Sequence, residues 1–106
     1  MTKSDLEETL LFQLRGVGIP DPVREYKALL PRKFRFDFAW PEFGVLVEVQ
    51  GGTFSGGRHT RGVGYESDCE KLNEAMRRGY EVYWMTRSTI ESGKALQWIE
   101  AALGLM

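Results

Sequence analysis

The sequence feature that most constrains the fold is a pair of short stretches in which apolar residues occupy alternate positions. The first runs from Lys33 to Trp40 and the second from Val45 to Gln50, with the four residues 41–44 between them. Alternation of this kind is typical of β-strands, because successive side chains of a strand point to opposite faces of a sheet. The two stretches therefore predict a β-hairpin whose apolar face carries Phe34, Phe36, Phe38, Trp40, Val45, Val47 and Val49.

The polar face of the same hairpin brings two carboxylates together. A four-residue connection that sets Trp40 opposite Val45 also sets Asp37 opposite Glu48, and a slip of one residue would turn every side chain to the other face. Like charges that face each other across a sheet are destabilising, and a divalent cation between them would remove the repulsion. Magnesium favours such oxygen ligands, and Gln50, next on this face, can orient a water molecule. The alternative is a solvated polar face, which antiparallel sheets often have; the basic residues nearby favour the metal site.

The rest of the chain predicts one α/β (α+β) domain that covers residues 1–106, since this length suits a single core. Ser4 and Glu7 have the spacing of a capping box, and leucines at helical spacing follow up to Gly16. Other helices are predicted over Ser67–Arg78 and Thr89–Leu103. The remaining strands are predicted at Glu25–Leu30 and Tyr80–Thr86, with Trp84 and Trp98 in the core. The resulting order is α-β-β-β-α-β-α.

The net charge hides an uneven distribution of charged residues. The chain has 14 basic and 15 acidic residues, which gives a formal charge of −1. Five basic residues nevertheless lie between Arg24 and Arg35, and Arg58, His59 and Arg61 follow in a glycine-rich stretch. A basic face of this kind is the electrostatic feature expected of a nucleic-acid-binding protein.

Three features predict a cytoplasmic protein. No apolar run approaches the roughly 20 residues that a membrane helix needs. The polar, acidic residues 1–8 do not have the pattern of a secretory signal. A single cysteine, Cys69, suits a reducing compartment.

The hairpin sequence also resembles a known family. Arg-Phe-Asp-Phe-Ala-Trp at 35–40 and Val-Leu-Val-Glu-Val-Gln-Gly-Gly at 45–52 are similar to the core of the PD-(D/E)XK nuclease superfamily. The most similar branch contains small phage and prophage endonuclease-like proteins related to very-short-patch-repair endonucleases. The resemblance implies a restriction-endonuclease-like αβββαβ core, with a mixed sheet flanked by helices and an extra C-terminal helix. It also implies a magnesium-dependent DNA endonuclease that acts in phage or bacterial DNA repair, recombination or processing.

The resemblance assigns roles to individual residues. In that superfamily an aspartate and a glutamate hold the catalytic magnesium, which implies this role for Asp37 and Glu48, with the Val49 carbonyl as a further ligand and manganese as a substitute ion. The usual third residue is lysine, which is replaced here by Gln50, as in some members. A glutamate of the first helix often completes the site. Glu7 is the best match, with capping as its alternative role, and Glu25 is the competing choice.

Basic and aromatic residues near the hairpin are candidate DNA contacts. Guanidinium groups bind phosphate oxygens in bidentate fashion, and an aromatic ring in a glycine-rich loop can stack on a base. Histidine titrates near neutral pH, so His59 can act as a general acid or base, or contact a phosphate. A DNA-facing role for Lys71 follows from the family pattern, and a surface charge is its alternative. The predicted nucleic-acid contacts are Lys33, Arg35, Phe54, Arg58, Arg61 and Lys71.

Two other functional classes remain open at this point. One is a non-catalytic DNA-binding module that retains the fold, which the glutamine at position 50 favours. The other is a phage regulatory interaction protein in which the carboxylate pair binds no metal. For the endonuclease, a chain this small covers few base pairs, so cleavage of both strands or of a junction predicts a homodimer.

Overall fold

The computed structural model describes residues 1–51 and 63–105, which form an α+β fold. Within these residues, no helix is both long and apolar enough to cross a membrane. The elements are α1 (Lys3–Gly16), β1 (Val23–Tyr26), β2 (Phe36–Trp40), a 3-10 turn (Pro41–Phe43), β3 (Val45–Val49), α2 (Val63–Arg77), β4 (Glu81–Met85), α3 (Arg87–Glu91) and α4 (Lys94–Ala102). The predicted order is confirmed, except that Gly93, with a left-handed φ of 84°, divides the last predicted helix into α3 and α4.

The four strands form one mixed sheet in the order β1-β2-β3-β4. Strand β2 is antiparallel to both β1 and β3, whereas β3 and β4 are parallel and α2 lies between them in the chain. The pairs that join β2 to β3 are Phe38 with Val47, Ala39 with Leu46 and Trp40 with Val45. This is the register predicted from the four-residue connection.

The N-cap of helix α1 is Thr2, two residues before the predicted cap at Ser4. The Thr2 hydroxyl accepts a hydrogen bond from the Asp5 N–H (3.1 Å), and the Asp5 carboxylate accepts one from the Thr2 N–H (2.9 Å). These reciprocal bonds are a capping box. The predicted box of Ser4 and Glu7 is therefore wrong, because a Thr-x-x-Asp sequence just upstream makes the same bonds. Glu7 lies further along α1 and is buried beside its leucines.

Apolar side chains fill both faces of the sheet. On one face the leucines of α1 pack with residues of the strands and the C-terminal helices, including Phe38, Trp40, Val45, Val47, Val49, Met85, Ile90 and Ile99. On the other face a smaller cluster contains Leu29, Phe36, Ala39, Leu46 and Ala75 of α2, with Phe34 partly buried beside them. The sheet therefore lies between α1, α3 and α4 on one side and α2 on the other.

The alternation of β2 breaks between Phe36 and Phe38, which pack on opposite faces of the sheet. The neighbouring strand is irregular at the same level. Glu25 has a left-handed φ of 53°. It takes no part in the β1–β2 pairs, which join Arg24 to Phe38 and Tyr26 to Phe36 on either side of it. The predicted single aromatic face is consequently wrong for the first half of β2.

Two predictions near the edges of the sheet are also wrong. Strand β1 ends at Tyr26 because residues 28–31 form a turn, in which the Arg32 N–H donates to the Leu29 carbonyl (2.9 Å). Trp84 and Trp98 are each 40% exposed and are not core residues. Alternation alone could not place Trp84, because β4 is the outer strand of the described sheet and has no further strand to cover it.

Candidate metal centre

The regular backbone pairing of β2 with β3 ends just before Asp37. Beyond this point carboxylate side chains, in place of backbone carbonyls, accept the hydrogen bonds between the two strands. The regular pairs of the two strands reach only as far as Phe38 and Val47. One residue further along, the Asp37 N–H donates to Glu48 Oε1 (3.0 Å), and the Val49 N–H donates to Asp37 Oδ2 (2.7 Å). Each carboxylate therefore accepts an N–H from the opposite strand that would otherwise lack a partner.

Asp37 is almost completely buried, with 3% exposure, and its other oxygen is paired with Lys3. The ammonium Nζ of Lys3 lies 2.8 Å from Asp37 Oδ1. Gly51, just beyond β3, permits this approach, since a Cβ at position 51 would overlap the Lys3 Cβ and lie 2.7 Å from its Cα. The first turn of α1 therefore contacts the chain beside Asp37 only because residue 51 has no side chain.

Glu48 is paired with a lysine of α2. The Lys71 Nζ lies 2.6 Å from Glu48 Oε2, and the two side chains are 13% and 14% exposed. The same ammonium lies over the Phe36 ring, 4.6 Å from its centroid, a position that the negative face of an aromatic ring favours. Lys71 therefore belongs to the centre, and its alternative interpretation as a surface charge is wrong.

Two further carboxylates lie beside Asp37, one from α1 and one from β1. One carboxylate oxygen each from Glu7, Glu25 and Asp37 lies within 4.8 Å of the other two. Glu7 is buried and pairs with Arg24, whose Nη2 lies 2.9 Å from Glu7 Oε1. The sequence left open whether Glu7 or Glu25 joins Asp37, and the structure brings both to it.

The left-handed backbone of Glu25 is part of this arrangement. A φ of 53° is uncommon for a residue with a Cβ, and it costs about 1 kcal/mol. The Glu25 carboxylate lies 3.9 Å from Arg35 Nη1, and both side chains are more than half exposed. An exposed pair at this distance contributes little to stability, so the contact with Arg35 does not explain the strained backbone.

Burial changes the proton affinity of two groups in the centre. It raises the pKa of Glu48, because the charged carboxylate loses hydration, and the hydrogen bond from Lys71 opposes this without cancelling it. For Lys3, partial burial acts against the charged form, but the hydrogen bond to Asp37 and the nearby carboxylates outweigh it and raise its pKa. The charged form of Glu48 is disfavoured overall, so additional positive charge beside it would be favourable.

The donor atoms of the centre suit a hard divalent cation. They are carboxylate oxygens, the ligands that magnesium, manganese and calcium prefer. In octahedral magnesium coordination, oxygens on opposite sides of the ion are about 4.2 Å apart and adjacent ones about 3 Å apart. Oxygens up to 4.8 Å from one another therefore have to approach by as much as about 1.8 Å to bind one ion together. The acidic triad of Glu7, Glu25 and Asp37 is thus a group that a metal ion could draw together.

The other predicted site residues lie near the ends of β2 and β3 or outside the described residues. Gln50 is half-buried at the end of β3, where its N–H donates to the Met85 carbonyl (2.7 Å). Lys33 and Arg35 are exposed just before β2. The roles predicted for Gln50, Lys33, Arg35 and the Val49 carbonyl remain predictions. So do those of four residues outside the described part of the chain, Phe54, Arg58, His59 and Arg61.

The sequence reasoning missed two basic residues of the centre, Lys3 and Arg24. Each is one of 14 basic residues in the chain, and no local pattern links either to its acidic partner. A signal existed only for Lys3, because the Thr-x-x-Asp capping sequence places it in the first turn of α1. Its proximity to Asp37 still depends on how α1 packs on the sheet.

Comparisons with known proteins do not assign this centre to a family. No protein-family model, no curated protein and no solved structure matches the chain. The resemblance of residues 35–40 and 45–52 to PD-(D/E)XK nucleases therefore remains a prediction. The function is inferred from the geometry of the centre.

Proposed function

We propose that this chain is a magnesium-dependent DNA endonuclease with a restriction-endonuclease-like core, which acts in phage or bacterial DNA repair, recombination or processing. One observation carries the proposal. Where β2 and β3 separate, buried Asp37 is bonded across the strands to Glu48 and has Glu7 and Glu25 beside it. Carboxylates that converge from three or more elements on one point are costly to fold, and a bound divalent cation accounts for them.

Asp37 is common to both ligand sets that the centre offers. The set predicted from the sequence is Asp37, Glu48 and the Val49 carbonyl, and Glu7 and Glu25, the two candidates predicted to complete it, both lie near Asp37. A magnesium ion held there would make a water molecule more acidic and stabilise negative charge on a phosphate. In the proposal Gln50, at the end of β3, orients that water.

Lys71 compensates in this proposal for the absence of lysine at position 50. Its ammonium reaches Glu48 from α2 at 2.6 Å, so a positive charge is present at the same carboxylate although it comes from another element. A fixed charge in a half-buried site can stabilise the charge that develops on a phosphate oxygen. The glutamine at position 50 is therefore compatible with activity.

The basic residues before β2 provide the first part of the proposed DNA surface. Lys33 and Arg35 are exposed, whereas Arg32 pairs with Glu70 (2.8 Å) and lies over the Phe34 ring. Exposed basic side chains make the phosphate contacts that position a protein on DNA. The contacts predicted for Phe54, Arg58, His59 and Arg61 would extend this surface.

Cleavage of branched, mismatched and linear DNAs with magnesium or manganese tests the proposal. The conservative variants Asp37→Asn and Glu48→Gln are compared with the parent and with Glu91→Gln, which alters an exposed carboxylate paired with Arg87. We expect cleavage by the parent and by Glu91→Gln, and rates lower by about two orders of magnitude for the two site variants. Equal cleavage by the parent and Glu48→Gln would show that the proposed centre is wrong. Sedimentation with the cleaved DNA tests the predicted homodimer.

A second candidate function, a non-catalytic DNA-binding module, is favoured by a separate observation. Three carboxylates of the centre already have cationic partners within the protein, as in the pairs Lys3–Asp37, Lys71–Glu48 and Arg24–Glu7. These pairs compensate the charges of the three carboxylates without a metal ion. For this module, fluorescence anisotropy would show metal-independent DNA binding that Asp37→Asn leaves unchanged or strengthens, and no DNA of the panel would be cut.

A further inference from the structure

We propose that Lys3 is an exchangeable counter-ion of Asp37, which holds this carboxylate while the metal is absent and leaves it when a divalent cation binds. The inference rests on the proposed metal centre and adds a residue that takes no part in the predicted ligand set. It concerns only the side chain of Lys3 and the oxygen that this side chain occupies.

The two oxygens of Asp37 have different partners. Oδ2 accepts the Val49 N–H at 2.7 Å, a bond that joins β2 to β3. Oδ1 lies 2.8 Å from the Lys3 ammonium. Because Oδ2 already accepts a backbone N–H, Oδ1 is the oxygen with more capacity left for a cation, and it is the one that Lys3 occupies. A metal ion and the Lys3 ammonium therefore compete for the same atom.

The two lysines of the centre differ in how readily they can leave. The Lys71 side chain is 13% exposed and lies between Glu48 and the Phe36 ring. The Lys3 side chain is 48% exposed, so it is already partly hydrated and its ammonium can return to water without breaking buried apolar contacts. Lys3 is thus the lysine that a cation can displace, whereas Lys71 stays in its place between Glu48 and the Phe36 ring.

The backbone of Lys3 keeps the displaced ammonium close to the centre. Its Cα is packed against Gly51 so closely that no side chain fits at that position. After exchange the ammonium can move only by the length of its own side chain. It then lies within reach of an anionic oxygen, such as that of a phosphate bound at the centre.

Manganese affinity measured by calorimetry, without DNA, tests the competition. Lys3→Met removes the charge and keeps the apolar stem, and we expect it to tighten Mn²⁺ binding by about three- to tenfold. Lys3→Arg keeps the competing charge and should bind Mn²⁺ with nearly the affinity of the parent. The matched control Lys94→Met removes an equal charge from an exposed lysine beside Trp98, and its affinity should also equal that of the parent. An Asp37-dependent Mn²⁺ site that Lys3→Met does not tighten would overturn the inference and leave the metal centre standing.

Nitrogen NMR of the lysine ammonium groups gives a readout that needs no variant to fold. On titration with Mg²⁺ the Lys3 ammonium signal should change in proportion to metal bound, and by more than the Lys71 signal, because the Lys71 ammonium stays paired with Glu48. Release of Lys71 before Lys3 would overturn the inference.

If the parent, Lys3→Met and Asp37→Asn all fail to bind either ion, the inference and the proposed metal centre fail together, whereas binding by Lys3→Met alone would support the competition directly.

Discussion

Asp37 and Glu48 are joined through the backbone at the point where their strands separate. The Asp37 N–H donates to the Glu48 carboxylate (3.0 Å), and the Asp37 carboxylate accepts the N–H of Val49, the residue after Glu48 (2.7 Å). Each acid therefore has a structural role in addition to any role as a metal ligand. Variants of the centre need to separate these two roles.

Substitutions of Asp37 should separate its hydrogen bond from its charge. Asp37→Ala leaves the Val49 N–H without its acceptor and Lys3 without its partner, so we expect the free energy of unfolding to fall by about 2–4 kcal/mol. Asp37→Asn keeps an oxygen for the Val49 N–H and should lose only about 1 kcal/mol. Urea denaturation followed by tryptophan fluorescence measures both. Equal losses would mean that the hydrogen bond contributes nothing.

The Glu48–Lys71 pair should be coupled more strongly than a surface ion pair. In a double-mutant cycle with Glu48→Gln and Lys71→Met we expect a coupling free energy of about 1–3 kcal/mol, because both side chains are mostly buried. The matched cycle uses Arg87→Met and Glu91→Gln, whose exposed pair should give about 0.3–0.5 kcal/mol. The geometry of the centre would be in doubt if both cycles gave the same coupling.

The pH dependence of stability should reveal the raised pKa of Glu48. Burial places this pKa above its ordinary value of 4.5, so the folded protein holds the proton more tightly than the unfolded chain. The stability that results is present below pH 4.5 and is lost as the pH rises through the folded pKa. Glu48→Gln cannot ionise, and its free energy of unfolding should therefore increase relative to that of the parent over this window.

Glu70→Gln is the control of opposite sign in the same pH series. The hydrogen bond from Arg32 lowers the pKa of Glu70, so its contribution is present above the ordinary value of 4.5 and is lost as the pH falls through the folded pKa. Urea denaturation from about pH 3 to about pH 8 covers both windows. If the difference in free energy of unfolding between the parent and Glu48→Gln did not change with pH, the raised pKa of Glu48 would be contradicted.

Gly51 should tolerate a methyl group far less well than Gly16. In Gly51→Ala the new Cβ overlaps Lys3, so the first turn of α1 has to move, and we expect a loss of about 1–3 kcal/mol. A Cβ at Gly16 meets nothing within 4 Å, and Gly16→Ala should be neutral or stabilising by up to about 1 kcal/mol. Thermal unfolding distinguishes them, and equal melting temperatures would contradict the close approach of α1.

Metal binding should stabilise the folded protein through Asp37. At a Mn²⁺ concentration about 100 times the Kd, the free energy of unfolding should rise by about 2.7 kcal/mol, since only the folded state holds the ligands together. Removal of the ion with EDTA should reverse the gain. Glu91→Gln should respond like the parent and Asp37→Asn should not respond. The same gain in Asp37→Asn would place the metal elsewhere.

The register of the hairpin and the order of the elements were predictable from the sequence. The four-residue connection and the alternating valines allow only one pairing of β2 with β3 that buries the apolar side chains, and the structure has that pairing. The alternation failed for Phe36, which packs on the opposite face of the sheet from Phe38, at the level where Glu25 of the neighbouring strand has a left-handed backbone. The capping box failed because Thr2 and Asp5 compete with Ser4 and Glu7 for the same role.

The sequence by itself determined the register of β2 with β3, because backbone geometry controls pairing across a short hairpin, and this register brings Asp37 close to Glu48 where the strands separate. Only the tertiary structure decided which charges surround them. Lys3 reaches Asp37 because α1 packs against the chain at Gly51, and Lys71 reaches Glu48 because α2 covers the opposite face. Such contacts depend on the packing of whole helices against the sheet, and no local periodicity encodes them.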